Sequence, residues 1–229
     1  MKKILKIIFL AWIAISAVLI VVGVFLHKPL PKAQVNPKAD ALAHKMLNAL
    51  DYQKYAQTRF LEWSFRGNHF YKWDKFENKV NVSWEGNEVL LFTNAFEKTQ
   101  VITKADEDAT EHDLKQQALA YFNNDSFWLV APYKVFDPAV ERGIVMEDGK
   151  EALLVTYKSG GSTPGDSYLW YLNDNGFPYA YRMWVKIIPV GGLKASWEDW
   201  QMTNAGIKLP KTHQAIFGSI DMGQVKAYN

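Results

Sequence analysis

From Ile7 to Leu26 the chain runs for twenty residues without a charge (IIFLAWIAISAVLIVVGVFL), and that stretch limits what the remainder of the protein can be. Wound as a helix at about 1.5 Å per residue it is roughly 30 Å long, the thickness of one bilayer core. Lys2, Lys3 and Lys6 precede the run, and His27, Lys28, Pro29 and Pro31 come after it, so positive charge flanks both ends. A basic N-terminus is usually retained inside, and long domains translocate largely regardless of flanking charge. The expectation is a single-pass protein of the inner (cytoplasmic) membrane with its domain in the periplasm. The alternative is a cleaved secretory signal that leaves a secreted or periplasmic chain. Signals have apolar cores of about 7 to 15 residues and end in a small-x-small site. This run is longer, and Ile15-Ser16-Ala17 and Val21-Val22-Gly23 are poor sites. The chain divides into residues 1–32, anchor (or signal) and linker, and residues 33–229, a β-rich extracytoplasmic domain.

There is no cysteine, which excludes a lipid-modified N-terminal cysteine. A domain of this size holds together without disulfides, so their absence says nothing against export. The formal charge of +2 misleads. Five of the 26 basic residues (Lys2, Lys3, Lys6, Lys28 and Lys32) lie before residue 33 with no acidic residue among them, leaving 21 basic against 24 acidic side chains, a net of −3. A slightly acidic domain without a basic run is a poor nucleic-acid binder, and no nucleic-acid partner is expected.

After a short linker, Asn36-Pro37 reads as an N-cap followed by proline at the first helical position. Leu42, Met46 and Leu50 recur at helical spacing with Ala39 and Leu47 nearby, which predicts a helix over about Pro37 to Lys54. From Thr58 the period changes to two. Leu61, Trp63 and Phe65, then Tyr71 and Trp73, then Val80, Val82 and Trp84 alternate with polar residues, as half-buried strands do. Gly67-Asn68 and Gly86-Asn87 supply the positive φ of tight hairpins, so neighbouring strands should be antiparallel. Val89 to Phe92 and Gln100 to Thr103 continue the meander.

Five acidic residues (Asp106, Glu107, Asp108, Glu111, Asp113) precede Leu114, Ala118, Tyr121 and Phe122 and predict a second helix over about Glu111 to Asn123. Phe127 to Val130 and Val135-Phe136, around Pro132 and Pro138, read as an apolar crossover. A second meander takes Ile144–Met146, Ala152–Tyr157, Ser167–Leu172, Tyr179–Ile188, Lys194–Met202 and Thr212–Phe217 as strands, divided by turns such as Asp148-Gly149 and Gly191-Gly192. The predicted fold is α+β: a single curved antiparallel sheet, an unclosed β-barrel, lidded by two helices and preceded by one transmembrane helix.

That layout resembles the periplasmic lipoprotein carrier and receptor superfamily of Gram-negative bacteria. What carries the resemblance is the order helix, meander, helix with the apolar Phe127-Trp128-Leu129 stretch, then meander, over about residues 37–220. Segments such as Gly165-Asp166-Ser167-Tyr168-Leu169-Trp170-Tyr171-Leu172 and Arg182-Met183-Trp184-Val185 look like those of uncharacterised bacterial envelope proteins near that superfamily. The resemblance implies a half-barrel with a greasy interior. The chain departs from it in an apolar helix expected to stay uncleaved and in its lack of an acylated cysteine, and no functional residue carries over.

No catalytic apparatus is legible: there is no G-x-S-x-G elbow and no cysteine nucleophile. His27, His44, His69, His112 and His213 are scattered, and each reads as a surface or cap residue. The acidic cluster lacks the glycine-centred loop of calcium sites and reads as a solvated helix start, while zinc lacks its ligand pairs. The Gly160-to-Gly165 turn lacks a P-loop lysine and reads as a hairpin loop. No enzyme, metal or cofactor is expected. Eight of the nine tryptophans lie outside the apolar run, and nearly all fall on predicted strands. They serve either as plain core or as the lining of an apolar cavity. The expected cavity residues are Leu61, Trp63, Phe65, Phe127, Trp128, Leu153, Val155 and Tyr157. The expected function is non-covalent binding of a lipid or other apolar ligand by a membrane-anchored envelope domain; the alternative is a protein-interaction or structural module of the envelope with a filled core and no ligand.

Overall fold

The computed structural model describes residues 2–105, 107–159 and 163–229. Asp106 of the acidic cluster and Gly160, Gly161 and Ser162 of the glycine loop lie outside the described residues. Helix α1 (Lys2–Leu26) is long and apolar enough from Ile4 to Leu26 to cross a membrane or act as a signal sequence, and none of its apolar window is buried within the protein.

Helix α2 (Pro37–Ala49) starts as expected, with the Asn36 side chain accepting from the Lys38 amide at 2.9 Å and Pro37 in the first turn. It does not run to Lys54. Asp51 adopts a left-handed conformation (φ 57°, ψ 56°), and a separate short helix α3 (Tyr52–Gln57) follows it. The buried stripe of α2 is Ala39, Ala43, Met46 and Leu47, at the spacing of one helix face.

Strands β1 (Phe60–Phe65), β2 (His69–Asp74), β3 (Lys79–Trp84), β4 (Asn87–Phe92) and β5 (Gln100–Thr103) form the expected antiparallel meander. The turn between β3 and β4 is the pair Glu85-Gly86, both at positive φ, one residue earlier than the dipeptide read from sequence. That is the hairpin geometry whose twist matches the strands. The second meander comprises β6 (Val140–Glu147), β7 (Lys150–Tyr157), β8 (Ser167–Leu172), β9 (Pro178–Trp184) and β10 (Leu193–Ser196). Beyond it come a two-stranded ribbon, β11 (Gln201–Met202) with β12 (Lys208–Leu209), a hairpin β13 (Thr212–Ala215) with β14 (Gly218–Asp221), and a last strand β15 (Lys226–Tyr228).

The single sheet expected from the sequence is corrected by this pairing. A six-stranded sheet runs β15-β1-β2-β3-β4-β5 and a seven-stranded sheet runs β14-β13-β10-β9-β8-β7-β6, with the ribbon separate. Strands β5 and β6 end up as edges of different sheets, and helix α4 (Glu111–Val130) and a turn of 3-10 helix lie between them in the chain. The sheets are joined at one corner, where the Ser64 amide donates to Met222 O at 3.2 Å and the Arg66 amide to Asp221 O at 2.7 Å. β15 pairs with β1, so the last strand of the chain closes on the first.

Helix α4 also corrects the expectation: it continues seven residues past Asn123, and Phe127 to Val130 are its last turn rather than a crossover. It ends at Ala131-Pro132, the first residue pair that denies it a backbone donor. Helix α4 packs on β3, β4 and β5, and α2 packs on β6 and β7. One buried cluster joins residues of both sheets and both helices.

Candidate functional site

The eight residues expected to line a cavity are all on the inward side. Leu61, Trp63, Leu153 and Val155 are buried, Trp128 is buried on α4, and Phe65, Phe127 and Tyr157 are half-buried against the same core. The strand residues among them lie on the buried faces of their strands. Around these side chains the structure places protein. Trp63 stacks on its cross-strand neighbour Tyr71 (centroids 4.5 Å), and Phe122 of α4 lies 6.3 Å from Trp63 and edge-on to Trp73 at 5.2 Å. On the other sheet Phe127 meets Tyr168 at 4.5 Å and Tyr157 at 5.4 Å, while Trp128 meets Tyr181 at 5.7 Å and His213 at 5.2 Å. Leu153 and Val155 stand opposite Trp170 and Tyr168. The interior is an aromatic mosaic in offset and edge-on contacts, the arrangement aromatic quadrupoles favour.

Several polar tips are enclosed in it. Trp63 Nε1, Trp73 Nε1, Trp170 Nε1, Trp197 Nε1 and the Tyr157 hydroxyl are buried without a hydrogen-bond partner among the described residues. An acyl chain carries no acceptor, so its arrival would leave these groups as they are. His213, read as a surface or cap residue, is fully buried: its ring Nδ1 bonds Ser196 O at 2.9 Å, and burial holds its pKa down at about 4.

One polar constellation was missed by sequence reasoning. Asp125 of α4 is only 1% exposed. Its Oδ2 accepts from the Tyr71 hydroxyl at 2.5 Å and from His69 Nδ1 at 2.7 Å, and its Oδ1 accepts from Asn124 Nδ2 at 2.8 Å. The His69 ring stacks on Tyr121 at 3.9 Å. The signal was present: Ala118, Phe122, Asp125 and Leu129 share one helix face, and a carboxylate within a buried stripe needs partners. A histidine oriented by a buried carboxylate is a familiar catalytic component. Here the imidazole's ring and hydrogen-bond partners among the described residues are Asp125, Tyr121 and Phe65. Burial and the adjacent Asp125 push the Tyr71 phenol far above its ordinary range, so it stays a protonated donor. The cluster ties α4 to β2.

A third constellation lies where α1 meets the domain. The Lys28 amide donates to Gly191 O at 2.9 Å, Trp184 Nε1 donates to Lys28 O at 2.7 Å, and the Gly191 amide donates to His27 Nδ1 at 3.0 Å. Farther on, Gln34 and Ile144 exchange both backbone hydrogen bonds, at 2.9 and 3.0 Å, along the outer edge of β6. Two glycines permit these approaches. A Cβ on Gly191 would come within 2.5 Å of Trp184 Cδ1 and 3.1 Å of Lys28 O, and one on Gly143 within 2.6 Å of Ala33 Cβ. Ala33, with Tyr171 and Trp184, also covers a small outer cluster of Val145, Ala152, Leu154 and Leu169. No family model, curated protein or solved structure matches the chain.

Proposed function

We propose that the chain is a non-enzymatic envelope module, held at the membrane by an uncleaved α1, that works through its outer surface rather than through an interior ligand. The observation that carries this reading is the occupancy of the space between the sheets: Phe122, Phe127 and Trp128 of α4 fill it against Trp63, Tyr168 and Tyr181. An interior lipid site would need those side chains to leave. The linker supports the same reading, because a carrier must travel with its cargo and this domain is bonded along residues 27–34 to its own membrane helix. We place the domain in the periplasm, on the length of the apolar run and its basic N-terminus. The sheets joined at a corner, with α2 and α4 on their core side, support a half-barrel layout with the helices as its cover.

Thermal unfolding of the full chain in nanodiscs with a long-chain fatty acid in excess tests the claim. No change in midpoint is expected. A ligand at 100 times its Kd would raise the midpoint by about 5 to 10 °C, and such a rise would reinstate the interior site.

A further inference from the structure

Between the end of α1 and the outer face of the seven-stranded sheet lies an open groove of about 480 Å³. One wall is Phe25, Leu26 and Lys28, and the opposite wall includes Arg182, Lys194 and Ile216. The lining thus brings three cations and no carboxylate to the last residues of the apolar span. Lys194 stands directly opposite Arg182 in the β9–β10 register, a like-charge pair that is unfavourable without an anion. Arg182 has its own compensation: Nε contacts the Tyr171 hydroxyl at 2.9 Å and Glu147 at 3.5 Å, and Nη1 donates to Gly192 O at 2.9 Å. Lys28 and Lys194 form no ion pair among the described residues.

Depth in the bilayer is set by α1. A Cβ on Gly23 would sit 3.7 Å from Val190 Cγ2, in ordinary contact. Gly23 lies about 4.5 Å of helical rise inside the end of the span. The loop carrying Val190 therefore reaches the level where hydrocarbon gives way to headgroups. Ile187 of that loop and Ile216 beside the groove are 69% and 62% exposed, as apolar side chains facing a lipid interface would be.

We infer that the groove seats the phosphate headgroup of an anionic phospholipid, with Lys28 and Lys194 as its counter-charges and the acyl chains running down Phe25 and Leu26. This rests on reading α1 as a retained span. The lipid clamps the domain at one orientation, its seven-stranded sheet turned toward the membrane.

The test is native mass spectrometry of the full chain released from nanodiscs of equal parts phosphatidylcholine and phosphatidylglycerol. Preferential retention of one phosphatidylglycerol is expected, reduced on the order of tenfold in Lys28→Gln/Lys194→Gln. Lys98→Gln/Lys104→Gln, which removes the same charge beside β5, should retain it. An unchanged unfolding midpoint in the groove variant shows that its fold is intact. Equal retention of the two lipids, or equal loss in both variants, overturns the groove assignment while leaving the span reading in place. An intact mass that begins beyond α1 overturns both.

Discussion

The Tyr71 hydroxyl donates to Asp125 Oδ2 at 2.5 Å, and this bond joins β2 of the first sheet to the C-terminal half of α4. Asp125 is the polar centre of an otherwise apolar contact, so its replacement should be felt out of proportion to its size. Asp125→Ala leaves the Tyr71 hydroxyl and the His69 N–H without their acceptor and is expected to cost about 3 kcal/mol, against about 1 kcal/mol for Tyr71→Phe. Chemical denaturation midpoints measure both. A loss below about 1 kcal/mol for Asp125→Ala would show that the cluster does not tie helix to sheet.

Acid should weaken the fold through His213. Its folded pKa of about 4 lies below the ordinary 6.5 because burial penalises the cation. Between those values the unfolded chain binds a proton that the folded chain does not, so stability falls as pH drops from about 6.5 to about 4. The full effect is about 3 kcal/mol. His213→Asn keeps a donor near the Nδ1 position for Ser196 O and cannot titrate, so it should flatten that limb. An unaltered slope of stability against pH in the variant would assign the acid sensitivity elsewhere.

A packed interior also makes a statement about Trp128. Trp128→Ala opens a hole beside Tyr181, His213 and Phe217 and is expected to cost about 3 to 5 kcal/mol. Added indole should restore part of that loss by occupying the hole, read as a rise in melting temperature of the variant alone. A wild-type protein that gains as much from indole already has the space.

The approach of the linker depends on residues without side chains. In Gly143→Val/Gly191→Val the added atoms meet Ala33, Trp184 and the Lys28 carbonyl, so residues 28–35 should lift from the sheet. Trypsin should then cut the Lys32–Ala33 bond on the order of tenfold faster, because local opening sets that rate. Equal cleavage would mean that the contacts do not hold the linker.

How much of this was legible depended on which interactions are local. Asn36-Pro37 announces α2 because cap and proline act within one turn, and the alternation of Leu61, Trp63 and Phe65 assigns an inner face because pleating is a two-residue property. The extent of α4 was hidden by Asn123-Asn124-Asp125-Ser126, a run whose polarity reads as a stop until Asp125 meets partners more than fifty positions away. The division into two sheets was equally hidden, since whether β5 and β6 pair is a long-range fact. The pairing of β15 with β1 and the landing of Lys28 at Gly191 span most of the chain, and nothing near either partner marks them in advance.

The bonded linker also sets how far the domain can act. Residues 28–35, fully extended, would give it about 26 Å of travel from the end of α1. Laid along β6 and the loop after β9, they give it almost none. With α1 retained in the bilayer, as proposed, anything the domain engages must come down to its altitude or drift alongside, and the search becomes a two-dimensional one.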